Sequence, residues 1–203
     1  MVERLPSVDR YLERLPRGLS SHPECQVKAS VYRDALASHG LESVISELPR
    51  ELRELVLEPP PVSSWVPEVY ANSIMMAIRD VHFEPGTVGV TAYSEWTRQR
   101  NLLLLTRPLY RALFLLLSPE RLLKGLQRRW GAFRKGTTIE LVHQGVGAVE
   151  LRVRYPENLY EETTLSGLRG ALVAALEAAG AGHVKVELIE FDDRQASYRG
   201  SWS

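Results

Sequence analysis

TTIELVHQGVGAVELRVRY, residues 137–155, is followed by LSGLRGALVAALEAAG, residues 165–180, and then by VKVELIEFDDRQASYRGSW, residues 184–202. The first segment alternates twice. Ile139, Leu141 and His143 take every second position against Thr138, Glu140 and Val142, and Val149, Leu151, Val153 and Tyr155 do so against Glu150, Arg152 and Arg154. A period of two marks half-buried strands, and Gln144 to Gly147 is the turn between them. In the second segment Leu165, Leu168, Leu172, Val173 and Leu176 recur at helical spacing, and Gly180 and Gly182 close the helix. Val184, Val186 and Leu188 alternate again, Asp192-Asp193 turns the chain, and Ala196, Tyr198, Gly200 and Trp202 form the last strand. The pattern predicts β-β-α-β-β, a four-stranded antiparallel sheet with one covering helix, with His143 on the covered face.

Working outward, the preceding residues read as helical. Val8–Leu15 is a short helix in an N-terminal arm. Val27–Ser38 ends at His39-Gly40, and Leu41–Leu57 is interrupted at Pro49. Pro59-Pro60-Pro61 is a stiff connector. Ser63-Ser64 before Trp65-Val66-Pro67-Glu68 resembles a capped helix start, continuing to Val81. Thr87–Leu105 and Leu109–Leu117 read as further helices, and Ser118-Pro119 starts one predicted over Glu120–Ala132. Helices first and a sheet last give an α+β fold: an N-terminal helical bundle followed by the sheet unit. The expected organisation is an N-terminal arm and helices over 1–62, then one compact unit over 63–203.

Composition narrows function by exclusion. Of 203 residues, 25 are Lys or Arg and 25 are Asp or Glu, so no net charge calls for a nucleic acid or an anionic membrane. One cysteine, Cys25, excludes an intramolecular disulfide and any multi-cysteine metal site and fits a cytoplasmic chain. We expect a free thiol, partly exposed beside His22 and Glu24. The most apolar window, Asn101–Leu117, is broken by Thr106-Arg107-Pro108 and Arg111, too soon to span a bilayer. Neither a phosphate-binding glycine loop nor a Gly-x-Ser-x-Gly elbow occurs, and no two histidines stand at metal-ligand spacing. The chain reads as non-enzymatic, without metal or cofactor.

What remains are surfaces. Arg121, Lys124, Arg128, Arg129, Arg134 and Lys135 place six positive charges in fifteen residues with no acidic residue among them. Arg121, Lys124 and Arg128 are spaced to share one helical face, so this is a solvated face or a docking surface for an acidic partner. Trp65, Tyr93 and Trp96, with Tyr70, Met75, Met76, Tyr110 and Phe114, fill a core or line an apolar ligand site between helices and sheet. The expected partner is another protein or a small apolar or anionic ligand, in signalling or assembly, without nucleic acid. A homodimer through the open sheet edges is a further possibility. The alternative is an enzyme with a dispersed site, for which His82, Tyr93 and Glu95 are the candidates.

Trp65 to Tyr70, Ser118 to Gly136, and Leu165-Ser166-Gly167-Leu168-Arg169-Gly170-Ala171-Leu172 with the final strand carry a likeness. In them the chain resembles a myxobacterial paralogous family of uncharacterised proteins. Its topology is similar, more distantly, to the superfamily of heme nitric-oxide/oxygen-binding domains, 4-vinyl-reductase-type domains and vesicle-tethering subunits. That resemblance implies a ligand-binding or protein-interaction module. The heme-binding members use Tyr-x-Ser-x-Arg, whereas Tyr93-Ser94-Glu95-Trp96-Thr97-Arg98 is spaced differently, and the cysteine cluster of the vinyl-reductase type is absent.

Overall fold

The structure, a computed structural model, describes residues 5–105 and 118–203. The predicted helix Leu109–Leu117, the end of the Asn101–Leu117 window, and Tyr110 and Phe114 lie outside them.

The closing unit forms as its alternation dictates. Strands β4 (Thr138–Gly145), β5 (Ala148–Arg154), β6 (Lys185–Phe191) and β7 (Gln195–Ser201) make one antiparallel sheet in the order β4-β5-β7-β6. Ile139, Val149, Leu151, Val153, Val186, Ala196 and Tyr198 are buried on its inner face. The outer face is polar, with Arg154 on Glu140 at 3.2 Å and Arg199 on Glu150 at 3.1 Å. A sheet with one solvated face is what strict alternation specifies.

His143 is the exception. A bulge between Leu141 and His143 inserts Val142, so His143 pairs with Glu150 on the outer face and is exposed. One inserted residue exchanges the faces of every residue beyond it, which overturns the covered position expected for His143. The other edge strand, β6, has the same device between Leu188 and Glu190.

The helix that covers the sheet, here α8 (Glu162–Ala178), is buried on two sides. Leu165, Leu168, Leu172 and Leu176 are buried, each contributing about 1.5–3 kcal/mol of transfer free energy. Tyr198 on β7 donates to the Leu165 carbonyl at 3.0 Å. The neighbouring stripe, Thr163, Ser166, Gly170 and Ala174, is also buried, and along it α8 meets α5 (Gly86–Leu105). A Cβ on Gly170 would stand 2.5 Å from the Ser94 carbonyl oxygen and 2.4 Å from Thr97 Oγ1. Only glycine lets the two backbones come this close.

Upstream, α1 (Pro6–Arg14) packs through Val8 and Tyr11 on α4 (Glu68–His82). Buried Tyr11 donates to the Leu159 carbonyl at 2.8 Å, and Asn72 of α4 donates to the same two oxygens. Ser7 adds two hydrogen bonds to Asp80. The arm is thereby tied to the segment that leads into α8. Next come α2 (Ser30–Ser38), a 3-10 turn (Glu42–Glu47) and α3 (Arg50–Leu57), which starts directly after Pro49.

Three short strands were hidden in the helical reading. β1 (Gln26–Lys28) pairs antiparallel with β2 (Trp65–Pro67) on one side and with β3 (Arg134–Lys135) on the other. Consequently α2 starts at Ser30 and not at Val27. Trp65, Val66 and Pro67 are strand, and the helix begins at Glu68. Cys25, immediately before β1, is fully buried and not partly exposed, because Gly136 closes over it with φ +76° and would drive a Cβ to 2.5 Å from its sulfur. Burial pushes its thiol up to about 12, so it is a neutral core side chain.

The helix expected over Glu120–Ala132 is two. α6 (Pro119–Lys124) is capped by Ser118, whose hydroxyl accepts from the Arg121 amide, and α7 (Leu126–Gly131) follows a break at Gly125. Arg129 donates to the Leu122 carbonyl at 3.1 Å, a second hydrogen bond beside the one this oxygen accepts from the Gly125 amide.

Candidate functional site

The basic run is divided by the fold into three roles. Arg121, Lys124 and Arg128 are exposed, and among the described residues none has a carboxylate within 4.0 Å. The break at Gly125 places Arg121 and Lys124 on α6 and Arg128 on α7, so the single continuous face expected of them is replaced by two short ones. Arg129 is half-buried and serves the α6 end. Arg134 turns inward: it pairs with Glu68, which is 0% exposed, and donates to Tyr160 Oη at 2.9 Å. Tyr160 donates in turn to Glu68 at 2.6 Å. This buried triad joins α4, β3 and the segment before α8, and it is structural.

The three aromatic candidates separate too. Tyr93 is buried, and desolvation holds its hydroxyl above the usual phenol range. Half-buried Trp96 sits with it at 5.6 Å, in a cluster completed by Phe83 and His39. Trp65 is remote from that cluster and lies on the three-stranded sheet, with Lys28 Nζ 4.0 Å and Lys135 Nζ 4.2 Å from its ring centroid. Lys28 is a partner that sequence reasoning missed, since it comes from a strand 37 positions away that shows no periodicity of its own.

His82, Tyr93 and Glu95, the alternative set, make no hydrogen bond to one another. His82 Nε2 engages the Gly40 carbonyl at 2.7 Å. Glu95 accepts from Arg98 and Gln99, which hold its carboxyl down at about 2. An anchored carboxylate and a desolvated phenol leave neither group poised as acid or base near neutral pH.

The seam between helices and sheet does open a cleft, of ≈ 370 Å³, between α5, α8 and β6. It is polar. Arg98 crosses it, with Glu177 at 2.6 Å and Glu95 at 2.7 Å. Arg169 donates through Nε to Ser94 Oγ at 3.1 Å, and Lys185 and Glu187 form the strand side. Among the described residues, no three His, Cys, Asp or Glu side chains gather to hold a metal ion.

Residues 104–203 match the family described as "Protein of unknown function (DUF2378)". No curated protein matches the chain. Among solved structures, an Fe(II) unliganded H-NOX protein from K. algicida aligns with TM-score 0.57 at 7% identity, over 87% of this chain and 96% of that one. An oxygen-binding H-NOX domain related to soluble guanylate cyclases gives 0.56 at 9%, over 86% and 92%. An H-NOX structure concerned with heme distortion gives 0.57 at 12%, over 86% and 92%. The shared property is the fold, α+β with helices first and the antiparallel sheet last, as the sequence predicts.

Heme does not suit the described residues. Heme iron takes an axial protein ligand, most often histidine. All five histidines of the chain are among the described residues, and none is buried. His22 and His82 bond carbonyls, His39 stacks at 5.7 Å on Phe83, His143 is on the outer sheet face, and His183 is in a turn at φ 46°. The interior is occupied by Tyr11, Tyr32, Ile74, Met76, Ile78, Tyr160 and Tyr198, each under 2% exposed. The one cysteine is a neutral thiol closed over by Gly136.

Proposed function

We propose that the chain is a non-catalytic, cytoplasmic interaction module that uses the H-NOX fold without heme and binds an acidic protein segment in signalling or assembly. The observation that carries this reading is the exposed trio Arg121, Lys124 and Arg128, without a carboxylate partner among the described residues. Elsewhere on the surface four arginines are matched, Arg154 with Glu140, Arg199 with Glu150, Arg194 with Glu157 and Arg50 with Glu54. Three unmatched cations on adjoining short helices, in a run of fifteen residues without an acidic one, form a local positive patch, and charge complementarity selects an acidic partner. No described helix is long and apolar enough to cross a membrane. Bulges in both edge strands work against sheet-edge pairing, so the module acts as a monomer in this reading.

The test is titration with a synthetic Glu/Asp-rich peptide. Wild-type protein binds it at low salt, and the R121E/K124E/R128E variant binds it more weakly. Equal binding by the two proteins would remove the assignment.

A second reading is favoured by the seam cleft. Arg169 and Lys185 have no carboxylate within 4.0 Å among the described residues, which suits a small anionic ligand and not an apolar one. Mass spectrometry of ligand released from the purified protein tests it, and an empty protein counts against it.

A further inference from the structure

The three-stranded sheet has two faces of opposite character. Register places Lys28 directly opposite Trp65, and Gln26 opposite Lys135. Lys28 and Gln26 are two apart on β1, so alternation puts Lys28, Trp65 and Lys135 on the same side. Val27 and Val66 take the other side and are buried.

On the open side both ammonium groups converge on one half-buried indole, at 4.0 and 4.2 Å from its centroid. The ring attracts each cation by its quadrupole, and the two centroid distances keep the two like charges within about 8 Å of each other. Their remaining partners are neutral: Lys28 Nζ donates to the Ser63 carbonyl at 2.5 Å, and Lys135 Nζ reaches Gln26 Oε1 at 3.5 Å. Among the described residues neither lysine has a carboxylate within 4.0 Å. An arrangement that gathers two positive charges on a rigid apolar support and supplies no negative one is complementary to a ligand carrying two negative charges at one centre.

We infer that Lys28, Trp65 and Lys135 form a binding site for a phosphate monoester. Such a group carries close to two negative charges at neutral pH, whereas a carboxylate carries one and would neutralise only one of the two lysines. Lysine binds phosphate as a point charge and needs no planar geometry, which suits two flexible chains pinned by a ring. The source is either a free small phosphorylated compound or a phosphorylated side chain. The site shares no residue with Arg121, Lys124 and Arg128, so it does not depend on the acidic-partner reading.

The experiment is isothermal titration of the full chain with inorganic phosphate, phosphoserine and acetate, in parallel with the K28Q/K135Q variant. Both lysines are at the surface, and an unchanged circular dichroism spectrum verifies the variant's fold. The expected result is saturable binding of inorganic phosphate or phosphoserine, at least tenfold weaker binding of acetate, and at least tenfold weaker binding of the phosphates by K28Q/K135Q. Tighter binding of phosphoserine assigns the site to phosphorylated side chains, and tighter binding of inorganic phosphate to free small phosphates. Acetate binding as tightly as phosphate, equal affinity in the variant, or no saturable phosphate binding by the wild type would each overturn the assignment. Because R121E/K124E/R128E leaves these three residues untouched, loss of acidic-peptide binding in that variant with phosphate binding retained separates the two sites.

Discussion

Replacing Gly170 with alanine puts the packing of α5 on α8 to its most direct test. In the middle of a helix this change ordinarily stabilises a protein by about 1 kcal/mol, because alanine loses less backbone freedom on folding. Here the added carbon would stand 2.4 Å from Thr97 Oγ1, 2.5 Å from the Ser94 carbonyl oxygen and 2.9 Å from the Arg98 amide nitrogen. Ordinary carbon contacts lie near ~3.5 Å, so the helices must part by about 1 Å along this stripe. Two of the three obstructing atoms are backbone, and a rotamer change cannot clear them. The movement also strains the Ser94 hydroxyl's hydrogen bond to the Ser166 carbonyl, already 3.2 Å long. Overpacking of this kind costs about 1–3 kcal/mol. Set against the propensity gain, G170A should lose up to about 2 kcal/mol, with a thermal midpoint lower by about 2–4 °C for each kcal/mol in a chain of this size. Urea denaturation at matched m-value measures it. G131A is the internal control: Gly131 ends α7 with nothing within 4 Å of its added carbon, and should be neutral or more stable by up to ~1 kcal/mol. A G170A protein more stable than wild type by about 1 kcal/mol, the propensity gain alone, would refute the close helix approach.

Three further outcomes are expected. Arg134→Met leaves the fully buried Glu68 without its counter-charge and should cost about 3–5 kcal/mol in urea denaturation, with much of it recovered in R134M/E68M. Burial, and then the neighbouring His82 charge, hold His39 below the usual histidine range, so the unfolded chain binds more protons there than the native one. Stability from this site is fully present above pH ~6.5 and is lost as pH falls through the lower native value; His39→Gln should flatten that part of the stability–pH curve. Hemin added to the purified protein should give no saturable Soret band, and a stoichiometric one would show that heme finds a ligand this structure does not offer.

How far the fold could be read depended on how local its signals are. The four-stranded sheet and α8 were legible because burial on one face writes a period of two, or of about 3.6, into adjacent residues. The three-stranded sheet left no such trace. Its strands are two or three residues long, and Val27 meets Val66 and Arg134 only through pairing across the length of the chain. His143 was misplaced because a bulge changes phase without any distinctive residue to announce it. For the candidate surfaces, charge spacing correctly singled out Arg121, Lys124 and Arg128 as exposed, yet the same spacing gave no hint that Arg134 turns inward to Glu68. Identical residue types in one run have different fates because their partners arrive from other elements. Lys28 beside Trp65 went unnoticed for the same reason.

Binding of acidic segments through α6 and α7 can be decided by one affinity comparison. Exposed ion pairs contribute about 0.2–1 kcal/mol each. Losing three of them should weaken binding of a Glu/Asp-rich peptide by about 0.6–3 kcal/mol, on the order of 3- to 150-fold in Kd. Measured by fluorescence anisotropy at low salt, R121E/K124E/R128E should show that loss, and the wild-type affinity should itself fall as salt is raised. An unchanged Kd in the charge-reversed protein, or a wild-type affinity indifferent to salt, would contradict the account.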